Sequence, residues 1–198
     1  MRGIDLHRVE SGEISITANG VALVDCGGGE AEKCFKRAAV FQRLGYRTAV
    51  VRDSDKAVAQ EIVDAFTNDD GSLIAWRTGR AIEDELFLSL SDDAINELID
   101  LAIELHGEDL INDHIKSASD GGADLEQIRA AAPPDGYSDA TRALLGKAAR
   151  SRAGWFKSVT RMERAAREIV GPDLAHADDQ DFCAFVEAIF KWAGDGGG

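Results

Sequence analysis

The stretch Thr48 to Trp76, TAVVRDSDKAVAQEIVDAFTNDDGSLIAW, decides how the rest of the chain is read. Thr48 to Val51 is a short, β-branched apolar run that breaks at Arg52-Asp53-Ser54-Asp55. That is the pattern of a buried strand ending in a polar loop. From Lys56 to Phe66 the apolar residues Val58, Ile62, Val63 and Phe66 fall at helical spacing and predict a helix with one inward face. Ser72 to Trp76 is again strand-like. A strand, a helix and a second strand in this order imply a right-handed crossover and a parallel sheet.

Upstream, Val21 to Asp25 reads as a further strand, followed by the loop Gly27-Gly28-Gly29. Glu30 to Leu44 carries a helical stripe of Cys34, Ala38, Phe41 and Leu44, and Gly45 is placed to close it. After Thr78 the pattern turns helical: Ala81 to Leu90, then a helix capped by Ser91 and ended by Gly107, with Ile95, Leu98, Ile99, Ala102 and Leu105 inward. Further helices are expected at 110–118, 125–131, 139–151, 156–170 and 182–192. Ala132-Pro133-Pro134-Asp135-Gly136 is the clearest break. The expected organisation is an α/β domain over residues 1–90, a helical C-terminal subdomain over 91–193 and a disordered tail over 194–198.

Of the 198 residues, 44% are hydrophobic and 29% charged, enough for a sizeable core. Three prolines are too few for a Pro-rich linker protein. No apolar run approaches the length of a membrane span, and the first residues do not read as a secretory signal. A cytoplasmic protein with no membrane partner is expected. The net charge of −14 disfavours simple electrostatic binding of nucleic acid. The charge is uneven, however. Arg142 to Arg167 holds eight basic residues against one acid, Glu163, a local charge of +7 that leaves −21 for the remainder. An acidic body with one basic face is expected. Cys26, Cys34 and Cys183 form no C-x-x-C pair, and the four histidines are scattered. Neither a zinc site nor a disulfide framework is expected.

Three constellations could carry chemistry. Asp53 and Asp55 stand where a strand of a parallel sheet ends, the edge at which such sheets bind ligands. Two carboxylates there can converge on Mg²⁺ or Mn²⁺, completed by water and phosphate oxygens. The plainer reading is a solvated turn or a helix cap. Glu83, Asp84 and Glu85 begin a helix, where acids also serve simply to complement the helix dipole. Gly154-Trp155-Phe156-Lys157 puts a lysine after two aromatics within the basic segment. Lys157 could offset transition-state charge, or be solvated beside inward-packed rings. Arg150, Arg161, Arg164 and Arg167 could face a nucleic-acid backbone, or water and nearby acids. Gly27–Gly29 makes neither G-x-G-x-x-G nor a P-loop, and no serine–histidine arrangement stands out in the linear sequence.

Taken in order, VALVDCGGG, RAAVFQRLGYRTAVVRDSDK, LIAWRTGRAIEDELF and GWFKSVTRMERAAREIV resemble the C-terminal TOPRIM region of the overcoming-lysogenization-defect (OLD) family of ATP-dependent endonucleases, over roughly residues 3 to 192. The resemblance implies a TOPRIM-like parallel sheet and metal-dependent cleavage of DNA in anti-phage or repair settings. It also implies an ABC-type ATPase domain N-terminal to this module, and leaves a homodimer open. It matches Asp53 and Asp55 to the D-x-D metal ligands, Glu83 with Asp84 to the acidic position of a second metal, and Lys157 to a late catalytic lysine. It implies two-metal phosphodiester hydrolysis, with Glu83 and Lys157 in catalytic roles. The departures are a first strand ending in Glu-Gly, its catalytic Glu and the ATPase. Glu10 and Glu13 sit in a polar context that does not suit that Glu. A truncated TOPRIM-like sheet is therefore expected, weak or inactive alone. One rival is a non-catalytic module that binds protein or DNA. Another is a receiver-like domain with Asp53 as phospho-acceptor, which lacks the acidic pair expected on a first strand.

Overall fold

The computed structural model describes residues 1–27, 30–54, 56–131, 136–152 and 154–196. In chain order the elements are α1 (Arg2–Glu10), α2 (Glu32–Arg43), β1 (Ala49–Arg52), α3 (Gln60–Asn68), β2 (Ser72–Ala75), α4 (Ile82–Ser89), α5 (Asp92–His106), α6 (Glu108–Ala118), α7 (Leu125–Ala131), α8 (Asp139–Ala149), α9 (Val159–Ala165), a π-helical segment (Ala166–Val170), the single turn α10 (Gly171–Asp173) and α11 (Gln180–Gly194). The fold is mixed α/β, mostly helical with a small two-stranded parallel sheet among the described residues. Among the described residues no helix is long and apolar enough to cross a membrane. The chain forms two compact units. A helical unit comprises Met1–Ser15 and Glu83–Cys183, and a sheet unit comprises Ile16–Ile82 and Ala184–Gly198. The units are thus not the contiguous blocks 1–90 and 91–193: the N-terminal helix joins the helical unit, and most of α11 joins the sheet unit.

In the sheet unit, β1 and β2 pair in parallel, Ala49 opposite Ser72 through Arg52 opposite Ala75. The β1–α3–β2 crossover read from Thr48–Trp76 is present. Val21–Asp25, expected as a further strand, lies outside the sheet. Leu23 and Val24 are 36% and 53% exposed, so the run gains little from burial. Its end is held as a turn instead, with Arg37 Nη1 donating to the Asp25 carbonyl at 2.8 Å and Gly27 N to Asp25 Oδ1 at 2.8 Å. One core cluster is Phe35, Ala38, Val50 and Phe66, with Cys34, Val58, Ile62, Val63 and Leu73 against it. Phe35 meets Phe66 edge to face, ring centroids 5.5 Å apart. α3 begins at Gln60 and not at Lys56, so Val58 precedes it, while Ile62, Val63 and Phe66 face inward as their spacing predicts. The inward side of α2 is rotated: Phe35 is buried, while Phe41 and Leu44 are exposed. Gly45, at φ +83°, closes α2 by donating to the Gln42 carbonyl at 2.8 Å, a left-handed position that suits glycine. Gly71 is required sterically, since a Cβ there would lie 2.5 Å from the Phe66 ring. From α11, Phe185 stacks on Trp76 at 3.9 Å and Trp192 Nε1 donates to Ser72 Oγ at 3.0 Å.

The helical unit has the denser core. Ile95, Leu98, Ile99 and Ala102 of α5 are fully buried, as are Ile111 and Ile115 of α6, Leu145 of α8, Phe87 and Trp155. Ser91 caps α5 by accepting from Ala94 N, and Gly107 ends it at φ +86°, both as the sequence predicts. Ser91 Oγ and N also donate to Asp173, at 2.5 and 2.9 Å. The helix expected at 156–170 begins only at Val159, because Ser158 caps it through Arg161 N, and it widens to π over Ala166–Val170. α1 packs on that π segment, where a side chain at Gly3 would collide with the Glu163 carbonyl. The break at Ala132–Asp135 lies outside the described residues. Of the expected tail, Gly194 ends α11 and Lys191 Nζ pairs with Asp195 at 2.6 Å. Gly197 and Gly198 lie outside the described residues.

Candidate functional site

In the sheet unit the loops that follow β1 and β2 are tied together. Ser54 Oγ donates to the Trp76 carbonyl at 2.6 Å, and Gly79 N donates to the Ser54 carbonyl at 3.0 Å. Gly79, at φ +80°, makes the tight turn this needs. Arg52 spans the same loop, Nε to the Asp53 carbonyl at 2.8 Å and Nη2 to the Lys56 carbonyl at 2.9 Å. Asp53 is half-buried at this carboxyl edge. Asp55 and the glycines Gly28 and Gly29 lie outside the described residues. β1 is less buried than expected: Val50 is inside, but Val51 is 39% exposed.

The acids Glu83, Asp84 and Glu85 occupy the first turn of α4, in the helical unit. They are not a solvated run. Asp84 is buried and accepts from Arg150 Nε at 3.3 Å, and Gly146 leaves it room, since a Cβ there would lie 3.0 Å from Asp84 Oδ1. Glu85, 2% exposed, accepts from Ser89 Oγ at 3.0 Å. Asp53 thus belongs to one unit and Glu83 and Asp84 to the other. Among the described residues no group of three His, Cys, Asp or Glu side chains is placed to hold a metal ion.

The basic stretch is largely engaged within the helical unit. Arg142 is 6% exposed and donates to Asp92 and Asp178 at 2.6 Å each and to the Leu90 and Tyr137 carbonyls at 2.7 and 3.2 Å. Arg164 forms a two-pronged pair with Glu104, at 2.6 and 2.8 Å, and a third contact with Glu168. Arg167 grips Glu10. Hydrogen bonding from these guanidiniums holds the Glu104 and Glu10 carboxyls below the usual range. Arg161 Nη1 lies 3.3 Å from His106 Nε2. A phosphate would have to displace these partners from Arg164 and Arg167. Trp155 and Phe156 are buried and Lys157 is exposed, so Gly154–Lys157 is a turn anchored by two rings.

One arrangement escaped sequence reasoning. Ser151 Oγ lies 2.9 Å from His114 Nδ1, and Trp155 Nε1 donates to the same nitrogen at 3.2 Å. The pair is separated by 37 residues and joins α6 to the segment that follows α8. No local motif marks it; only the packing of α6 on α8 brings it together.

No family model, no curated protein and no solved structure matches this chain.

Proposed function

We propose that the chain is the TOPRIM-like module of an OLD-type metal-dependent endonuclease. In this reading the β1 edge, with Asp53 and Asp55, takes Mg²⁺ or Mn²⁺, and DNA is the substrate. The observation that carries it is the parallel β1–α3–β2 unit with Asp53 at the carboxyl end of β1, in a loop stitched to the one after β2. Such an edge is where open parallel sheets take ligands. The metal, when bound, would polarise a phosphate and lower the pKa of a water. The protein's own part is to hold Asp53 in place through the Ser54 and Arg52 hydrogen bonds.

The proposal extends to a chain that does little cleavage by itself. Asp84 is committed to Arg150, and Arg164 and Arg167 are committed to carboxylates. The ATPase partner belongs to the proposal as well. Loss of Mn²⁺ binding in Asp53→Ala/Asp55→Ala tests the site. A plasmid assay with the purified chain and Mn²⁺ tests the activity: supercoiled DNA is expected to survive. Strong cleavage abolished by Asp53→Ala would keep the nuclease reading and overturn the inactivity.

A second reading, an interaction module without cleavage, is favoured by the exposed Val40, Phe41, Leu44 and Tyr46 in and after α2. Apolar groups gathered on a surface mark contact sites more often than isolated ones do. In that case Phe41→Ser/Leu44→Ser would abolish self-association seen by light scattering, while Asp53→Ala would leave it unchanged.

A further inference from the structure

The geometry points to the Gly154–Lys157 turn being a pH-operated clasp whose lock is the neutral, Nε2-protonated form of His114. An indole N–H can only donate, so Trp155 Nε1, 3.2 Å from His114 Nδ1, requires a lone pair on that nitrogen. The ring proton of neutral His114 must then sit on Nε2. Ser151 Oγ, 2.9 Å from the same Nδ1, can donate to it or accept from it. The two partners therefore respond differently to acid. When a proton adds to Nδ1, Ser151 turns its hydroxyl and accepts. Trp155 has no such option: its indole N–H then faces another N–H inside a core where the residue is 0% exposed. A buried donor stripped of its acceptor is costly, so protonation favours release of the ring.

The surroundings keep the lock closed near neutrality. Burial pushes the His114 pKa down, His106 of α5 pushes the same way, and Asp113 of α6 opposes them. From α8, Lys147 places its Nζ on the Ala118 carbonyl at the end of α6, and from α9, Arg161 reaches His106. His106 Nε2 donates to the Trp155 carbonyl at 2.8 Å, so the Arg161 Nη1 that lies 3.3 Å away is a neighbour of that nitrogen and not its donor. Trp155 is thus held at its backbone by His106 and at its ring by His114. Its ring also meets Phe87 edge to face at 5.7 Å, so release of the indole loosens the core contact that anchors Lys157. The clasp does not depend on what Lys157 does.

The test is a pH titration of the wild-type chain by NMR from pH 8 to 5. It follows the Trp155 indole N–H, assigned with Trp155→Phe, together with the His114 ring nitrogens. The expected result is Nε2-protonated His114 at pH 8. The indole shift should then follow the His114 titration with one shared midpoint below about 6.5. In His114→Gln, whose amide oxygen can accept the indole proton without titrating, the shift should vanish. In Trp155→Phe the His114 midpoint should rise, because protonation no longer breaks a bond. An indole signal that stays constant while His114 titrates would overturn the clasp, as would Nδ1-protonated His114 at pH 8. The wild-type titration decides even if both variants fail to fold.

Discussion

The two units bury their apolar side chains very differently. In the helical unit, Phe87, Ile95, Leu98, Ile99, Ile111, Ile115, Leu145 and Trp155 are fully enclosed, and buried charge such as Arg142 is matched by carboxylates and carbonyls. In the sheet unit Phe35, Ala38, Val50 and Phe66 form one buried cluster and Ile16, Val186, Ile189 and Ala193 are buried as well, while Val24, Val40, Leu44 and Tyr46 stand 46% to 67% exposed. Parallel sheets are normally covered on both faces, and a two-stranded one has little cooperativity of its own. The difference teaches where stability and binding separate. The helical unit engages Arg142, Arg164 and Arg167 with its own carboxylates, whereas the sheet unit leaves the apolar residues in and after α2 at its surface.

The largest effect should come from Trp155→Ala, which removes a fully buried ring from the helical unit and should cost about 3–5 kcal/mol in urea unfolding. A loss below about 1 kcal/mol would mean that the enclosed core is not what holds this unit. Next, Arg142→Ala should cost about 3 kcal/mol, because it leaves Asp92 without its guanidinium and two buried carbonyls without donors. Arg142→Met, which fills the space, should recover part of that loss. In the sheet unit, Phe66→Leu should cost about 1–2 kcal/mol through the lost contact with Phe35. Leu44→Ala, at a site 67% exposed, should be nearly neutral.

The smallest effects sharpen the contrast in charge. Arg164→Ala and Arg167→Ala should lower the melting temperature slightly at low salt and hardly at all at high salt, since their ion pairs are exposed. The sign with pH follows from Glu10 and Glu104, whose carboxyls are held below their ordinary 4.5. Their contribution is complete above that value and is lost as pH falls through the lower folded values. Melting curves at pH 7 and pH 3 should therefore differ more in the wild type than in the variants. With Arg164 and Arg167 engaged by carboxylates, Arg164→Ala/Arg167→Ala should leave the salt dependence of DNA binding unchanged. A slope flatter by about 0.9 for each arginine lost would instead make them phosphate contacts.

Much of this was legible in the sequence where local rules decide the outcome. The β1–α3–β2 crossover follows from two short apolar runs around the Val58, Ile62, Val63, Phe66 stripe. Ser91, Gly107 and Gly45 mark helix ends because capping is a property of a few neighbouring residues. Val21–Asp25 was less legible, since a β-prone run says nothing about whether a partner edge covers it. The rotation of α2, which buries Phe35 instead of Phe41, depends on Phe66 lying across from it. The +7 stretch marked Arg142, Arg164 and Arg167 as a group but not their partners, because Asp178, Glu104 and Glu10 come from distant parts of the chain. Of the candidate site, the position of Asp53 at a strand end was readable. The meeting of His114, Ser151 and Trp155 was not, because it exists only once α6 and α8 pack.

The most direct test of the proposed metal edge is calorimetric titration of the chain with Mn²⁺ beside Asp53→Ala/Asp55→Ala. Saturable binding by the wild type that is lost in the double variant, with both chains equally folded by circular dichroism, is the predicted result. Equal binding by the two chains, or none by the wild type, would contradict it.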